Sequence, residues 1–182
     1  QPVYENPAAK AKISVIPDEL YYFPSASTRD MMRFYRGMYP GFDDKRYEAL
    51  REAFPDVDDK QPIRRLSKGM QKQSAFWLAL CCRPDILVLD EPSANLDPAS
   101  RRTLISLLRQ FTHTKIIATH DLDMVMDLCT RCIVMKDGSI LADAPVPDIF
   151  ADRSLLEEAR LEQPLSYLLM RQERQRNNSG AS

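Results

Sequence analysis

The chain has 182 residues, with 25 Lys and Arg against 26 Asp and Glu and a net charge of −1. No global field therefore recruits nucleic acid or an anionic membrane. Hydrophobic residues make up 44%, enough at this length for one domain with a sizeable core. The longest uninterrupted apolar run, Ala75 to Cys82, falls far short of the ~20 residues a membrane-spanning helix needs, so any membrane attachment is expected to run through a partner. Of the four cysteines, Cys81 and Cys82 are adjacent while Cys129 and Cys132 form Cys-x-x-Cys. A zinc or redox site is the sharper reading, but helix neighbours point ~100° apart and cannot chelate together. Ordinary buried thiols are expected, and reduced cysteines without a signal peptide suit the cytoplasm.

Gln1 to Lys12 contains Pro2 and Pro7 and no apolar periodicity, whereas Ile13 to Ile16 is a short β-branched run stopped by Pro17, read as a core strand. Next come Tyr21, Tyr22 and Phe23, which either line a groove for a partner or pack a local core. Ser27 or Thr28 can cap a helix carrying Met31, Met32, Phe34, Tyr35 and Met38 before Pro40-Gly41 breaks it. A second helix, Asp43 to Phe54, opens with paired acids and sets Tyr47, Leu50 and Phe54 on one face. Together they predict a small helical subdomain. Ser67 is placed as the N-cap of a further helix that runs through Phe76, Trp77, Leu80 and Cys81 to Arg83-Pro84. Such an N-terminus can bind phosphate through the Ser67 hydroxyl, the Gly69 amide, the helix dipole and the Lys68 charge, or it can be a plain capped helix. Arg64, Arg65 and Lys72 read as a solvated basic face.

Ile86 to Leu89 are four aliphatic residues that end in Asp90 and Glu91, with Pro92 behind them. They predict a buried parallel strand whose C-terminal end opens onto a site. Successive strand residues face opposite ways, so Asp90 can hold a Mg²⁺ through water while Glu91 polarises an attacking water. Asp97-Pro98 starts a helix that reaches about Gln110 with Leu104, Ile105, Leu107 and Leu108 inward. Lys115 to Thr119 is expected as the next buried strand, delivering His120 to the edge where an imidazole can bond a γ-phosphate. His113 precedes that strand and carries no role. Asp121 to Cys129 predicts a short helix, Cys132 to Met135 and Ser139 to Ala142 a hairpin around Asp137-Gly138, and Pro145 to Gln163 two short helices. From Arg171 the chain turns polar, and fraying or disorder is expected.

Leu66-Ser67-Lys68-Gly69-Met70-Gln71, Asp90-Glu91, Ser93 to Asp97 and His120, in this order and spacing, resemble the nucleotide-binding subunits of ABC (ATP-binding cassette) transporters. The resemblance covers roughly residues 10 to 165. It implies an α/β fold of the P-loop NTPase type, a mostly parallel sheet with flanking helices and a helical subdomain. It makes Leu66 to Gln71 the signature motif, so that Ser67, Lys68, Gly69 and Gln71 are nucleotide-binding candidates, Lys68 standing where most relatives carry glycine. Asp90 becomes the Walker B aspartate and Mg²⁺ ligand, Glu91 the catalytic glutamate, Ser93 to Asp97 the D-loop with Asp97 at the nucleotide, and His120 the switch histidine. Asp18 takes the place of the Q-loop glutamine and with it a metal-sensing role, or else it is a turn carboxylate after proline. The implied cofactors are ATP and Mg²⁺. The implied partners are a transmembrane permease subunit and a second ATP-binding subunit, identical or not, and no nucleic acid; the implied place is the cytoplasmic face of a membrane. The segments expected are 1–26, a remnant of the catalytic core with the Q-loop region; 27–83, the helical subdomain with the signature; 84–143, the catalytic core with Walker B, D-loop and H-loop; and 144–182, C-terminal helices and tail.

Ile16 to Glu19 and Leu66 to Met70 look like the ATPases of ABC-2 type exporters. Ser93 to Asp97, Ala118 to Asp123 and Leu155 to Pro164 look closer to cobalt and energy-coupling-factor importers, so the cargo stays open. Glycines occur only at 37, 41, 69, 138 and 180, and none of them satisfies G-x-x-x-x-G-K-[ST], the loop that cradles nucleotide phosphates. With Gln1 in first place, the simplest expectation is a chain truncated before its first strands and Walker A loop, and a degenerate natural protein is the alternative. Two other classes of function remain: a soluble ABC ATPase acting on DNA or ribosomes, and a catalytically dead module that only keeps an interaction surface.

Overall fold

The computed structural model describes Tyr4 and residues 6–179, the side chains at its end only as far as 173. The chain divides into two compact units, Gln1–Thr119 and His120–Ser182.

In the first unit, α1 (Pro7–Lys10) leads into β1 (Ile13–Ile16). Helix α2 (Thr28–Met38) starts at a capping box in which Ser27 and Asp30 satisfy each other's backbone N–H groups. Helix α3 (Asp44–Leu50) is capped by Asp43 and ends four residues before the expected limit at Phe54, its last turn tightening into a 3₁₀ turn over Arg51–Ala53. Helix α4 (Lys68–Cys81) follows, with Ser67 as its cap, then β2 (Ile86–Asp90), α5 (Pro98–Gln110) and β3 (Thr114–Ala118).

The strands form a parallel sheet in the order β1-β2-β3, aligning Ile16 with Leu89 and Leu89 with Ile117. The period of two splits the sheet into unequal faces. Ser14, Ile16, Leu87 and Leu89 are buried on one, where α4 packs against β1. The other carries the row Val15–Val88–Ile116, with Val15 61% and Ile116 54% exposed. This corrects the expectation of three buried strands: β3 runs over Thr114–Ala118 and alternates exposed with half-buried residues, because only one face of the sheet is covered among the described residues.

The helical part closes around Trp77, which is fully buried, stacks on Tyr47 at 4.6 Å and donates its indole N–H to the Tyr47 carbonyl at 2.8 Å. Beside it buried Asp59 accepts from Arg29, Arg51 and the Tyr47 hydroxyl, so a buried charge is paired as it must be. Burial first, then the Asp59 charge, push the Tyr47 phenol well above its ordinary range.

The second unit holds α6 (Leu122–Leu128), the antiparallel pair β4 (Arg131–Lys136) and β5 (Ser139–Pro145), and α7 (Val146–Ala151), α8 (Arg153–Ala159) and α9 (Leu165–Ser179). Asp137 and Gly138 both take positive φ, 50° and 77°, as a two-residue hairpin turn that follows strand twist requires. Val125, Val134, Val146, Ile149, Phe150 and Leu156 make its core. The polar tail expected to fray from Arg171 instead continues α9 to Ser179, and what was expected of residues 180–182 lies outside the described residues. Among the described residues no helix is long and apolar enough to cross a membrane.

Candidate active site

The centre is the end of β2. Asp90 is exposed and Glu91 half-buried, and at Glu91 the backbone turns to φ 42°. That left-handed conformation costs a bulky L-residue about 1–2 kcal/mol and persists only where the surroundings impose it. Here hydrogen bonds at its amide, its carbonyl and its side chain impose it. The Glu91 amide donates to the Ala118 carbonyl at 2.8 Å, its carbonyl accepts from Lys72 Nζ at 2.6 Å, and its Oε2 accepts from the Thr119 hydroxyl at 3.1 Å. The turn re-aims the Glu91 side chain away from the strand alternation that β2 would otherwise dictate.

Ser67 to Gly69 form the start of α4, where Ser67 Oγ accepts from the Met70 amide at 3.2 Å. Ser67 and Lys68 are exposed. Gly69 is required by a close approach: a Cβ there would meet the Asn95 carbonyl oxygen at 2.8 Å. The turn that opens α4 and the Ser93–Asp97 loop are therefore packed backbone to backbone. A second tie joins the same elements, since buried Gln73 donates to Ser100 Oγ at 2.6 Å and the Ser100 hydroxyl donates to Asp97. Asp97 also caps α5, accepting from the Ala99 and Ser100 amides at 2.9 and 3.0 Å. The Ser100 hydroxyl bond, above all, lowers its pKa.

Two candidates have partners within the protein. Gln71 is buried, donating to the Leu66 carbonyl at 2.9 Å and accepting from the Tyr22 hydroxyl at 3.2 Å. Both ends of its amide are engaged inside the protein, where it braces the turn that opens α4. Asp18, expected at a metal, accepts from Lys72 Nζ at 2.9 Å through one of its carboxylate oxygens. The reading of Lys72 as part of a solvated face fails: its side chain is 3% exposed. A signal was present, because Lys72 lies one turn before Phe76 and two before Leu80, on a face those residues bury. Thr119 and Asn95 carried no comparable signal.

The donor set at Asp90 suits a hydrated Mg²⁺, which is held by one or two carboxylates and otherwise by water and phosphate. Among the described residues no group of three His, Cys, Asp or Glu gathers to hold a metal unaided. His120 is exposed and opens the second unit, one residue beyond Thr119.

A cavity of about 330 Å³ lies between the segment after β1 and α2, lined by Tyr21, Tyr22, Phe23, Met31, Phe34 and Tyr35 among others. Tyr21 is 84% exposed, while Phe23 meets Phe34 edge-on at 5.1 Å. The aromatics thus line a groove, and Phe23 also packs locally against α2.

Residues 14–127 match the family model described as "AAA domain, putative AbiEii toxin, Type IV TA system". A "Putative ABC transporter ATP-binding protein" of Geobacter sulfurreducens is 54% identical over 106 residues, covering 58% of this chain and 43% of that protein. The chain belongs to the ABC ATP-binding proteins. An "Energy-coupling factor transporter ATP-binding protein" of Methanospirillum hungatei is 37% identical over 110 residues, covering 59% of this chain and 28% of that one. The solved "ATP binding subunit of ABC transporter" superposes with a TM-score of 0.73 at 20% identity, over 85% of this chain and 69% of that one. A bacterial Atm1-family ABC exporter with ATP bound gives 0.71 at 18%, over 82% and 28%, and both bear out the ABC ATPase fold. This ABC chain spans about two fifths of the length of curated relatives that it matches.

Proposed function

We propose that these residues form the hydrolytic and signature parts of an ATP site shared by two ATP-binding subunits, driving transport through a separate membrane partner. The observation that carries this reading is Glu91, a carboxylate held through its amide, its carbonyl and its side chain in a left-handed turn beside exposed Asp90. Strain kept in place by hydrogen bonds at a strand end is what a preorganised reacting group needs. Glu91 orients and polarises the attacking water. Asp90 would hold Mg²⁺, which when bound neutralises phosphate charge. Ser67, Lys68 and the Gly69 amide offer donors and positive charge at a helix N-terminus to the γ-phosphate of the opposite subunit's ATP. Asp97 shapes the loop between them. His120 is assigned to the γ-phosphate by its place in the motif order alone.

The aromatic groove supports a transmembrane partner, since an open, Tyr-rich apolar trough is suited to receiving an amphipathic helix. The energy-coupling-factor transporter relative adds that type of system to the candidates, and attachment to the cytoplasmic face follows from a membrane partner. The reading is tested by Glu91→Gln in a protein that carries a Walker A segment ahead of these residues. ATP binding should persist while turnover falls about 10²–10⁴-fold, the usual contribution of a positioned base. Turnover at the unsubstituted rate would remove Glu91 from the reaction.

A further inference from the structure

We infer that Lys72 is a positioning residue for Glu91, with Asp18 as its counter-ion. The inference rests on the role of Glu91 proposed above. The Lys72 side chain is 3% exposed, and its ammonium donates to Asp18 Oδ1 at 2.9 Å and to the Glu91 carbonyl at 2.6 Å. A buried ammonium with no acceptor is strongly disfavoured, so both bonds answer a physical need of the lysine. Their consequences differ, however. Asp18 is 50% exposed on its side chain, and water can solvate it when the lysine is gone. The Glu91 carbonyl belongs to the residue with φ 42°, and it also accepts from the Ala94 amide at 3.1 Å. Lys72 therefore fixes the peptide that follows Glu91 and, through it, the turn that aims the carboxylate. A lysine can do this without touching the reacting atoms, because a single charged donor on a rigid helix sets the orientation of the carbonyl it bonds.

The asymmetry makes the role separable from ordinary stabilisation. Asp18→Asn strands a buried ammonium that still reaches Glu91, whereas Lys72→Met leaves an apolar stem in an apolar place and a carboxylate that water can reach. Measured in the protein that supplies a Walker A loop to these residues, the two variants should rank in opposite orders. Asp18→Asn should lower the melting temperature more, while Lys72→Met should lower kcat more, at least 10-fold, with the Kd for Mg²⁺-ATP within about 2-fold of the parent. Lys72→Arg, which keeps a donor, should recover most of kcat. Hydrogen exchange gives a readout independent of turnover: the Ala94 amide should exchange at least 10-fold faster in Lys72→Met and little faster in Asp18→Asn. Loss of kcat in proportion to loss of stability, or unchanged exchange at Ala94 in Lys72→Met, would overturn the assignment. A parent protein without any ATPase activity would instead defeat the functional reading, and Ala94 exchange would then decide on Lys72 by itself.

Discussion

Gly69 and Glu91 are the two residues whose backbones carry most of the site. At Gly69 the constraint is contact, since the Asn95 carbonyl stands 2.8 Å from where a Cβ would be. A backbone oxygen on a loop that is itself turned at Asn95, φ 63°, cannot yield as the tip of a flexible side chain can. Gly69→Ala should therefore destabilise the first unit by about 1–3 kcal/mol, the usual cost of overpacking. A denaturant titration in which the midpoint does not move would show that the loop gives way freely. At Glu91 the constraint is hydrogen bonding at its amide, its carbonyl and its side chain, and the partners Ala118, Lys72 and Thr119 are all distant in sequence. Neither constraint could be read from residue types alone: the motif order pointed to both positions, but the reason for each is a neighbour brought in by the fold.

Among the elements, α4 is the one that joins the others. Its buried side meets β1, its polar residues reach Asp18, Glu91, Ser100 and the Leu66 carbonyl, and its apolar residues hold Trp77 and the thiols of Cys81 and Cys82. Burial pushes both thiols up to about 12 and raises Tyr35, Tyr39 and Tyr47. Groups whose pKa is raised on folding contribute stability fully present below their unfolded pKa and lost as pH rises toward the folded one. The helical part should thus be stable up to about pH 9, where free thiols begin to ionise, and weaken progressively toward pH 12. Trp77, the single tryptophan, stacks on Tyr47 and reports the loss by fluorescence. Replacing Cys81 and Cys82 by Ala should shift the alkaline midpoint upward, and an unchanged midpoint would mean that the thiols take no part. Helix caps at Ser27, Ser67 and Asp97 and the Asp137-Gly138 turn were legible in the sequence, because capping and turn chemistry are local. The half-exposed sheet was not, because Ile13–Ile16 and Ile86–Leu89 read the same whether one face or two are covered.

At the scale of the whole molecule, residues 1–182 carry Asp90, Glu91 and the signature turn but no G-x-x-x-x-G-K-[ST] loop. Phosphoryl transfer depends on positioning and charge neutralisation, much of which that loop provides through its amides and lysine. Residues 1–182 by themselves should hydrolyse no Mg²⁺-ATP above the background of a Glu91→Gln control. Turnover abolished by that substitution would mean that the phosphates are held elsewhere in this chain. The exposed row of Val15 and Ile116 should also make this segment associate as its concentration rises.

The claim that the two halves of the site come from different copies is tested most directly by joining a Walker A segment ahead of these residues and mixing two inactive variants of that protein, Ser67→Arg and Glu91→Gln. Each variant pairs only with itself at first, and both of its sites are then damaged. In a mixed pair, one site combines an intact Glu91 with an intact Ser67 from the other copy. Remixing should restore ATPase activity to neither parent but to their mixture, approaching the share of mixed pairs formed. A mixture no more active than the sum of its two components would place Ser67 and Glu91 in the same site of the same chain and contradict the shared arrangement.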